Sequence, residues 1–360
     1  MKNIIYYISE YGYGHAARSI AIIRNILEQD SEIHIQVVHN YALEFLKESL
    51  RKNNVSFYNL ATDIGYCLKD GSIEPDSSRQ IHEVENYLLQ MEDLLYSEIN
   101  RLSSNNIDLI ISDISPIAFN VADRLDVPSV GISNFTWYTA YQDLVPSEIL
   151  VPIKESYEKM DYYFALAGST NEEWGRMETV HFGFHSRRID FVEVNRIRST
   201  IRKDKQLVFI GFGMKMELTD LQNLSLWNSP DIHFIVSSNL NINHSNVSRI
   251  PHEYMETQNY MAACDLVITK AGWGTVGEAV VGKTPLLIID RQLMREDKNT
   301  IAYLKKHKLC QIINWEELNN LVITDKFMDE MNKAYMVSNF SKTNEVGRIV
   351  EGIFTILERV

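Results

Sequence analysis

Residues 265–290 read DLVITKAGWGTVGEAVVGKTPLLIID, and this stretch decides the fold class. It contains an apolar strand, a glycine-rich turn, a segment of helical composition and a second apolar strand. That order is typical of a parallel sheet covered by helices. The same alternation continues through most of the 360 residues. The sequence therefore predicts an α/β protein with Rossmann-like, doubly wound parallel sheets.

The chain is longer than one typical domain, and two domains are expected. Residues 184–205 contain seven Arg or Lys and precede a fresh series of apolar strands. We therefore predict domains at 1–184 and 185–342, with an amphipathic helix at 343–360 that crosses back to the first domain. Strands are predicted at 4–8, 33–38, 55–60, 108–112, 127–132, 161–166, 178–182, 206–211, 232–237, 265–269, 284–290 and 310–314. Helices are predicted at 79–104, 216–227, 258–264, 274–282, 297–308 and 325–337.

The composition excludes several function classes. A formal net charge of −13 disfavours binding to nucleic acid, because phosphate backbones need clustered Lys and Arg. No apolar run reaches the ~20 residues that span a bilayer, although peripheral membrane contact stays open. The three cysteines, Cys67, Cys264 and Cys310, form no CxxC pair, and the first residues do not resemble a signal peptide. These features predict a cytoplasmic protein.

The first segment with a candidate catalytic residue is SEYGYGHAAR at residues 9–18, between a strand and a helix. Gly12 and Gly14 allow a tight turn, and His15 follows at the start of the helix. Imidazole has the side-chain pKa closest to neutrality, which suits a general base. A glycine turn with a capping histidine is the structural alternative.

The second segment is IISDISPIAFNVADRL at residues 110–125. Asp113 ends an apolar strand, and ligands of α/β sheets bind beyond the carboxyl ends of the strands. A carboxylate there can bond the far nitrogen of His15 and select its tautomer. The alternative is that Asp113 caps the helix that starts near Pro116.

The third segment is the glycine-rich turn of residues 265–290. Gly272, Gly274 and Thr275 can offer backbone N–H groups and a hydroxyl to a phosphate at a helix start. Glu278 lies one turn further on, within reach of two ribose hydroxyls. Glycines that only let the helix pack on the strand are the alternative.

Two further strand ends complete the candidate set. Gly211 and Gly213 would let a pyrophosphate approach, while Glu296 and Asp297 could accept hydrogen bonds from a sugar or simply begin a solvated helix. Trp273 is a candidate wall or stacking platform. The ten histidines show no metal-ligand spacing and no Walker A motif is present, so neither a metal nor ATP chemistry is indicated.

These blocks together resemble the GT-B superfamily of glycosyltransferases, and within it the glycosyltransferase-like N-terminal part of plant L-arabinokinase. GYGHAARSIAIIRNIL is similar to the GxGHxxR opening of that group, and the blocks around Asp113 and Gly272 are similar to its mid-domain and donor-binding stretches. The resemblance implies two domains that face a central cleft, with the acceptor site in the first and the donor site in the second. The kinase domain of the plant proteins has no counterpart in these 360 residues.

The resemblance also implies roles for individual residues. His15 would be the catalytic base and Asp113 its orienting partner, with Gly12, Gly14 and Arg18 on the acceptor side near the phosphates. The implied donor-binding residues are Gly211, Gly213, Gly272, Trp273, Gly274, Thr275, Glu278, Glu296 and Asp297. Many relatives carry Asp-Gln where this chain has Glu296-Asp297, which leaves the donor sugar open.

The expected activity is inverting, metal-independent transfer of a sugar from a nucleotide diphosphate sugar, with a UDP-sugar as the superfamily default. The nucleotide sugar is a co-substrate, and no cofactor is expected. Three alternatives stay open: a nucleotide-sugar hydrolase, an epimerase and a non-catalytic nucleotide-sugar-binding protein. The acceptor is not indicated by any pattern.

Overall fold

The computed structural model describes residues 2–70, 74–169, 173–201, 205–213, 221–291 and 294–359. The chain divides into two compact units. The first contains Met1–Lys69, Glu74–Gly183 and Glu345–Val360, and the second contains Phe184–Asn344.

The described part of the first unit contains a seven-stranded sheet. Its strands are β1 (Asn3–Ile8), β2 (His34–Val38), β3 (Val55–Tyr58), β4 (Leu109–Asp113), β5 (Ser129–Ser133), β6 (Tyr162–Ala165) and β7 (Glu178–His181). They lie in the order β3-β2-β1-β4-β5-β6-β7, and neighbouring strands are parallel. Helices cover both faces of such a sheet, which explains why β1 and β4 are apolar and almost wholly buried.

Among the described residues, six helices belong to the body of the first unit, and a seventh comes from the C-terminal segment. They are α1 (Tyr13–Gln29), α2 (Leu43–Ser49), α3 (Ser77–Leu102), α4 (Ile117–Leu125), α5 (Trp137–Tyr141), α6 (Ser147–Glu158) and, from the C-terminal segment, α13 (Val346–Leu357). The apolar face of α13 packs against α1. Gly352 allows this helix a close approach, because a Cβ there would lie 2.8 Å from the Phe164 ring.

The second unit repeats the design with six strands among its described residues. They are β8 (Gln206–Gly211), β9 (Ile232–Val236), β10 (Val247–Arg249), β11 (Leu266–Lys270), β12 (Leu286–Ile289) and β13 (Cys310–Ile313), in the parallel order β10-β9-β8-β11-β12-β13. Its helices are α7 (Phe191–Thr200), α8 (Thr257–Ala262), α9 (Trp273–Val281), α10 (Arg295–Lys306), α11 (Trp315–Asn320) and α12 (Asp325–Met336).

The predicted α/β class with two parallel sheets is confirmed, and so is the long helix at 79–104, which is α3. One local prediction is wrong over the residues that the structure describes. Residues 216–220 of the helix predicted at 216–227 lie outside the described residues, and the rest form two short 3-10 helices, Leu221–Asn223 and Ser225–Asn228, separated by an extended Leu224.

The charged stretch at 184–205 was interpreted as the boundary between the domains, and the second unit begins there, at Phe184. The stretch also contains α7, which was not predicted. Asp190 begins this helix by accepting hydrogen bonds from the backbone N–H groups of Val192 and Glu193. Val194 and Ile197 are its buried face. This helix was not predicted, because two buried apolar residues among charged neighbours do not form a recognisable apolar stripe in the sequence.

Candidate functional site

Each sheet has one place where the strand order reverses, and ligands of open α/β sheets bind there, beyond the carboxyl ends of the strands. In the first unit this switch point lies between β1 and β4, where Ile8 stands opposite Asp113. In the second unit it lies between β8 and β11, where Gly211 stands opposite Thr269. Both switch points carry residues that the sequence singled out.

At the first switch point, a short turn joins β1 to α1. Gly12 precedes the helix with a φ of 84°, which lies in the left-handed region that favours glycine. His15 lies in the first turn of α1, and its Nδ1 is 2.9 Å from Oδ1 of Asp113. Both side chains are buried.

Neither His15 nor Asp113 caps a helix, which was the structural alternative for each of them. No side chain caps the start of α1, so His15 is not a capping histidine. The helix after β4 begins without a side-chain cap, and the Asp113 carboxylate is bonded to His15, Arg18 and Ser19 instead.

Arg18 differs from the expectation that it lies near the phosphates. Its guanidinium is buried and grips the Asp113 carboxylate, with Nε 2.6 Å from Oδ2 and Nη2 2.5 Å from Oδ1. Nη1 donates to Oδ1 of Asn134 at 2.8 Å, and Nη2 lies 3.1 Å from Oγ of Ser133. A buried carboxylate needs a cationic partner, which explains why the arginine is drawn inward.

The protonation states of the pair follow from burial and charge. Burial lowers the pKa of His15 below its ordinary value; Asp113 opposes this shift and Arg18 reinforces it. Burial alone would raise the pKa of Asp113, but Arg18 and His15 overcome it and hold that pKa well below its usual range. At neutral pH the site therefore contains an ionised carboxylate and a neutral imidazole.

Two carboxylates that the sequence interpretation missed hold the turn in place. Glu10 accepts hydrogen bonds from the backbone N–H groups of Asn40 and Tyr41 at 2.8 and 2.7 Å. Asp63 accepts from the N–H of Glu10 at 3.0 Å and from Oγ of Ser9 at 3.2 Å. Burial and the charge of Glu10 raise the pKa of Asp63 to about 7. The signal for Glu10 was its place inside the glycine turn, whereas Asp63 lies in a polar loop without pattern.

Aromatic rings border His15 on the side of β5. Phe135 and Trp137 lie 6.0 and 6.5 Å from the imidazole, measured between ring centroids. Trp137 stacks on Tyr141 and meets Tyr66 edge to face. Such packed rings keep water from one side of the imidazole, which agrees with its lowered pKa.

The switch point of the second unit is built mainly from backbone. Gly213 follows β8 with a φ of 83°, and Gly272 precedes α9. The Lys270 side chain runs beside both glycines. A Cβ on Gly213 would lie 3.2 Å from its Cε, and a Cβ on Gly272 would lie 3.4 Å from the same atom. The sequence interpretation quoted this lysine and gave it no role.

Helix α9 starts without a side-chain cap and with no acidic residue in its first turn. The first N–H groups of a helix lack partners within the helix and carry partial positive charge. Gly274 and Thr275 lie in this first turn and are partly exposed. The helix start therefore has the properties that an anion requires.

Glu278 lies further along α9 and is buried. Its Oε1 accepts from Nε and Nη2 of Arg187 at 2.9 and 2.7 Å, and Oε2 takes no part in these two bonds. Burial raises the pKa of Glu278 and Arg187 opposes the shift. Arg187 lies in the charged stretch at 184–205, where the sequence interpretation assigned no site.

Three residues that were predicted to bind the donor are buried in the structure. Both carboxylate oxygens of Asp297 accept from Arg291, at 2.6 and 2.7 Å, and Asp297 is fully buried. In this arrangement Asp297 holds Arg291 and offers no surface to a sugar; Glu296 is buried as well. The Trp273 ring is also buried, 5.4 Å from Phe184, so it packs in the interior and is not a stacking platform.

Within the described residues, no group of three or more His, Cys, Asp or Glu is arranged to hold a metal ion. No helix in the same part of the chain is long and apolar enough to cross a membrane. Residues 214 and 215, which directly follow Gly213, lie outside the described residues, as do residues 292 and 293, which precede Glu296 and Asp297.

Comparison with known proteins shows that this chain is similar to glycosyltransferases and to L-arabinokinase. Residues 236–351 match the glycosyltransferase family 28 C-terminal domain. Over 313 residues the chain is 24% identical to L-arabinokinase of Arabidopsis thaliana, a match that covers 81% of this chain and 28% of that protein. The chain thus spans less than a third of this relative.

Solved glycosyltransferases share the fold over their whole length. The calicheamicin glycosyltransferase CalG4 has a TM-score of 0.64 at 12% identity, covering 100% of this chain and 99% of its own. UGT2 of Phytolacca americana has the same score at 12% identity, with 99% and 100% covered. UGT89C1 of Arabidopsis thaliana follows at 0.64 and 14%, with 99% and 98% covered. The chain therefore has the GT-B fold, and residues 236–351, most of which lie in its second unit, are similar to the C-terminal domain of glycosyltransferase family 28.

Proposed function

We propose that this protein is an inverting, metal-independent glycosyltransferase. It moves a sugar from a nucleoside diphosphate sugar to an acceptor hydroxyl, with His15 as general base. The observation that carries the proposal is the buried pair of His15 and Asp113 at the switch point of the first unit. Because Nδ1 is directed at the carboxylate, Nε2 is the nitrogen that takes the acceptor proton.

The first unit, in this proposal, serves the acceptor. The neutral imidazole takes the proton as the acceptor oxygen attacks the anomeric carbon, and the resulting imidazolium is stabilised by ionised Asp113. Attack from the face opposite the leaving group inverts the anomeric configuration. A base of this kind contributes ~10²–10⁴-fold to the rate.

The second unit serves the donor. The leaving diphosphate gains negative charge as the glycosidic bond breaks, and the start of α9 and the Lys270 ammonium can stabilise it. Gly213 and Gly272 leave room for the phosphates, and Oε2 of Glu278 is the acceptor for ribose hydroxyls. Since helix and ammonium supply positive charge, the reaction needs no metal and no cofactor.

A UDP-sugar is the donor that the comparisons favour. The solved relatives include UGT2 of Phytolacca americana with UDP-2fluoro-glucose and UGT89C1 of Arabidopsis thaliana with UDP-L-rhamnose. Cys67, Cys264 and Cys310 are all free thiols, which supports a cytoplasmic location.

The deciding experiment measures products. The protein is incubated with UDP-sugars and a panel of sugar, lipid and phenol acceptors, and the products are identified by mass spectrometry. The anomeric configuration is then read from proton NMR. A glycoside of inverted configuration is expected, with a rate unchanged by EDTA. Retention, or release of free sugar in the absence of acceptor, contradicts the proposal, and the second result identifies a hydrolase. Binding of UDP-sugar without any turnover identifies a non-catalytic binding protein.

A further inference from the structure

The first switch point contains an arginine, Arg18, that the sequence interpretation placed near the phosphates and that the reaction scheme does not use. We propose that Arg18 is a positioning residue, which fixes the proton of His15 on Nδ1 and leaves Nε2 as the basic atom. The inference rests on the proposed role of His15. It turns the pair of His15 and Asp113 into a unit of three residues.

The hydrogens of the Arg18 guanidinium bear on the tautomer of His15. A guanidinium has five N–H groups, two of them on Nη2. Nη2 lies 2.5 Å from Oδ1 of Asp113, 3.0 Å from Nδ1 of His15 and 3.1 Å from Oγ of Ser133, so three atoms compete for two hydrogens. If Nδ1 donates its own proton to Oδ1 of Asp113, 2.9 Å away, both Nη2 hydrogens are left for the two oxygen atoms. The arrangement therefore favours the Nδ1–H tautomer.

The Arg18 guanidinium also fixes the orientation of the Asp113 carboxylate. Arg18 binds both oxygens of Asp113 and is itself tied to Asn134 and Ser133, next to the end of β5. The carboxylate therefore cannot rotate away from the imidazole without breaking the fork. A lysine at this position would keep the charge but lose the planar fork.

The positive charge of Arg18 acts on the pKa of His15. The groups that act electrostatically on His15 are Asp113, which favours the imidazolium, and Arg18 and His39, which disfavour it. His39 accepts at Nε2 from the N–H of Ala42, and its Nδ1 faces Ile8 O and Glu10. Arg18 thus offsets much of the attraction of Asp113 and keeps the base neutral at the pH where it must accept a proton.

More distant ionisable groups do not take over this role. Asp63 is bonded to Ser9, Glu10 and Ser115 on the opposite side of the turn. The Tyr6 hydroxyl is affected by Asp113, but burial raises its pKa far above the working range, so it stays neutral.

The test compares Arg18→Met and Arg18→Lys with the wild type, and Arg24→Met serves as the matched control. Arg24 lies on the same helix, and its guanidinium donates to the carbonyl oxygen of Ser49, away from the site. Two readouts are used: ¹⁵N NMR of the His15 imidazole, which reports the tautomer without turnover, and the pH profile of kcat/KM.

The wild type should show the Nδ1–H tautomer. In Arg18→Met the pKa of His15 should rise, because a cation that disfavours imidazolium is gone. The acid limb of the pH profile should then move up by about one pH unit, which is a ~10-fold loss of activity on that limb. Arg18→Lys should keep the limb near its wild-type pH while lowering kcat, and Arg24→Met should change neither readout.

An Nε2–H tautomer in the wild type, or an Arg18→Met profile identical to that of the wild type, overturns the inference. If Arg18→Met does not fold, Arg18→Lys decides: its tautomer should become mixed, and an unchanged tautomer together with an unchanged kcat rejects the role. Failure of the proposed function looks different, since a protein without transferase activity can still show the tautomer and its dependence on Arg18.

Discussion

The two switch points of this molecule occupy equivalent places in similar sheets, but they consist of different kinds of residue. At the first, three ionisable side chains, His15, Arg18 and Asp113, are buried in contact with one another. At the second, two glycine turns and a helix start surround one lysine side chain. The first is suited to moving a proton and the second to holding a charged ligand close to backbone. In the proposed function, the same topology thus serves proton transfer in one unit and donor binding in the other.

Arginine–carboxylate pairs are common to both regions, yet their consequences differ. Arg18 grips Asp113 in the first unit, and in the second Arg187 holds Glu278 and Arg291 holds Asp297. Such buried pairs are costly to break, because the remaining charge has no partner. The first pair contacts a histidine, His15, whose ordinary pKa lies near neutrality, and it therefore acts on a titrating group.

The sharpest test of the contrast is His15→Ala. Transfer should fall by at least ~100-fold because the general base is lost. UDP affinity, measured by calorimetry, should stay within a factor of two, because donor binding belongs to the second unit. Near-full activity of this variant would remove His15 from the reaction.

Lys270→Met should show the reverse pattern. Losing the ammonium beside the glycine turns should weaken UDP by ~10-fold, which corresponds to about 1.4 kcal/mol. Uridine, which lacks phosphates, should bind as it does to the wild type. Lys326→Met, with an 87% exposed side chain in the same unit, is the control for loss of one positive charge. Equal loss for uridine and UDP would show that Lys270 does not act on phosphate.

Glu278→Gln should weaken UDP by roughly threefold to tenfold, within the range for one ordinary hydrogen bond, because glutamine keeps an acceptor oxygen and loses the charge. The loss should vanish for 2′,3′-dideoxyuridine diphosphate, which lacks the ribose hydroxyls. Asp297→Asn is the companion variant: it should lower the melting temperature, because Arg291 loses its charged partner, and leave UDP affinity unchanged. A strong effect of Asp297→Asn on a UDP-sugar but not on UDP would return Asp297 to the sugar site.

The smallest expected effect concerns stability and pH. The pKa of Asp63 is raised to about 7 in the folded protein, above its value in the unfolded chain. Between about pH 4 and pH 7 the folded state therefore binds more protons, and stability falls as the pH rises. Asp63→Asn removes this loss, so its melting temperature should exceed that of the wild type by several degrees at pH 8 and by a smaller margin at pH 5, near the start of this pH range. Calorimetric scans at both pH values test this, with the exposed Asp93→Asn as control; an unchanged difference between the two pH values would refute it.

Much of the fold was predictable because its signals are local. Buried parallel strands are short apolar runs, and α3 has an apolar stripe at helical spacing. Helix α7 was missed because its buried face is only Val194 and Ile197 among charged neighbours. The two short 3-10 helices before β9 have no periodicity that distinguishes them from one α-helix.

The candidate site was predictable only in part, for the same reason. His15 and Gly272 stand in turns that directly follow strands, and this position is visible in the sequence. The partners of the charged residues are not visible, because they come from 91 or 95 residues away, as with Glu278 and Arg187 or Asp113 and Arg18.

The sequence by itself determined the strands, the glycine turns and the kinds of side chain that stand at the strand ends. Strand order and the pairing of buried charges were decided only by the tertiary structure. That order placed Ile8 beside Asp113 and Gly211 beside Thr269. The buried carboxylates of Asp113, Glu278 and Asp297 each pair with an arginine. Pairing of charges is a long-range electrostatic choice, whereas strand and turn formation depends on neighbours along the chain.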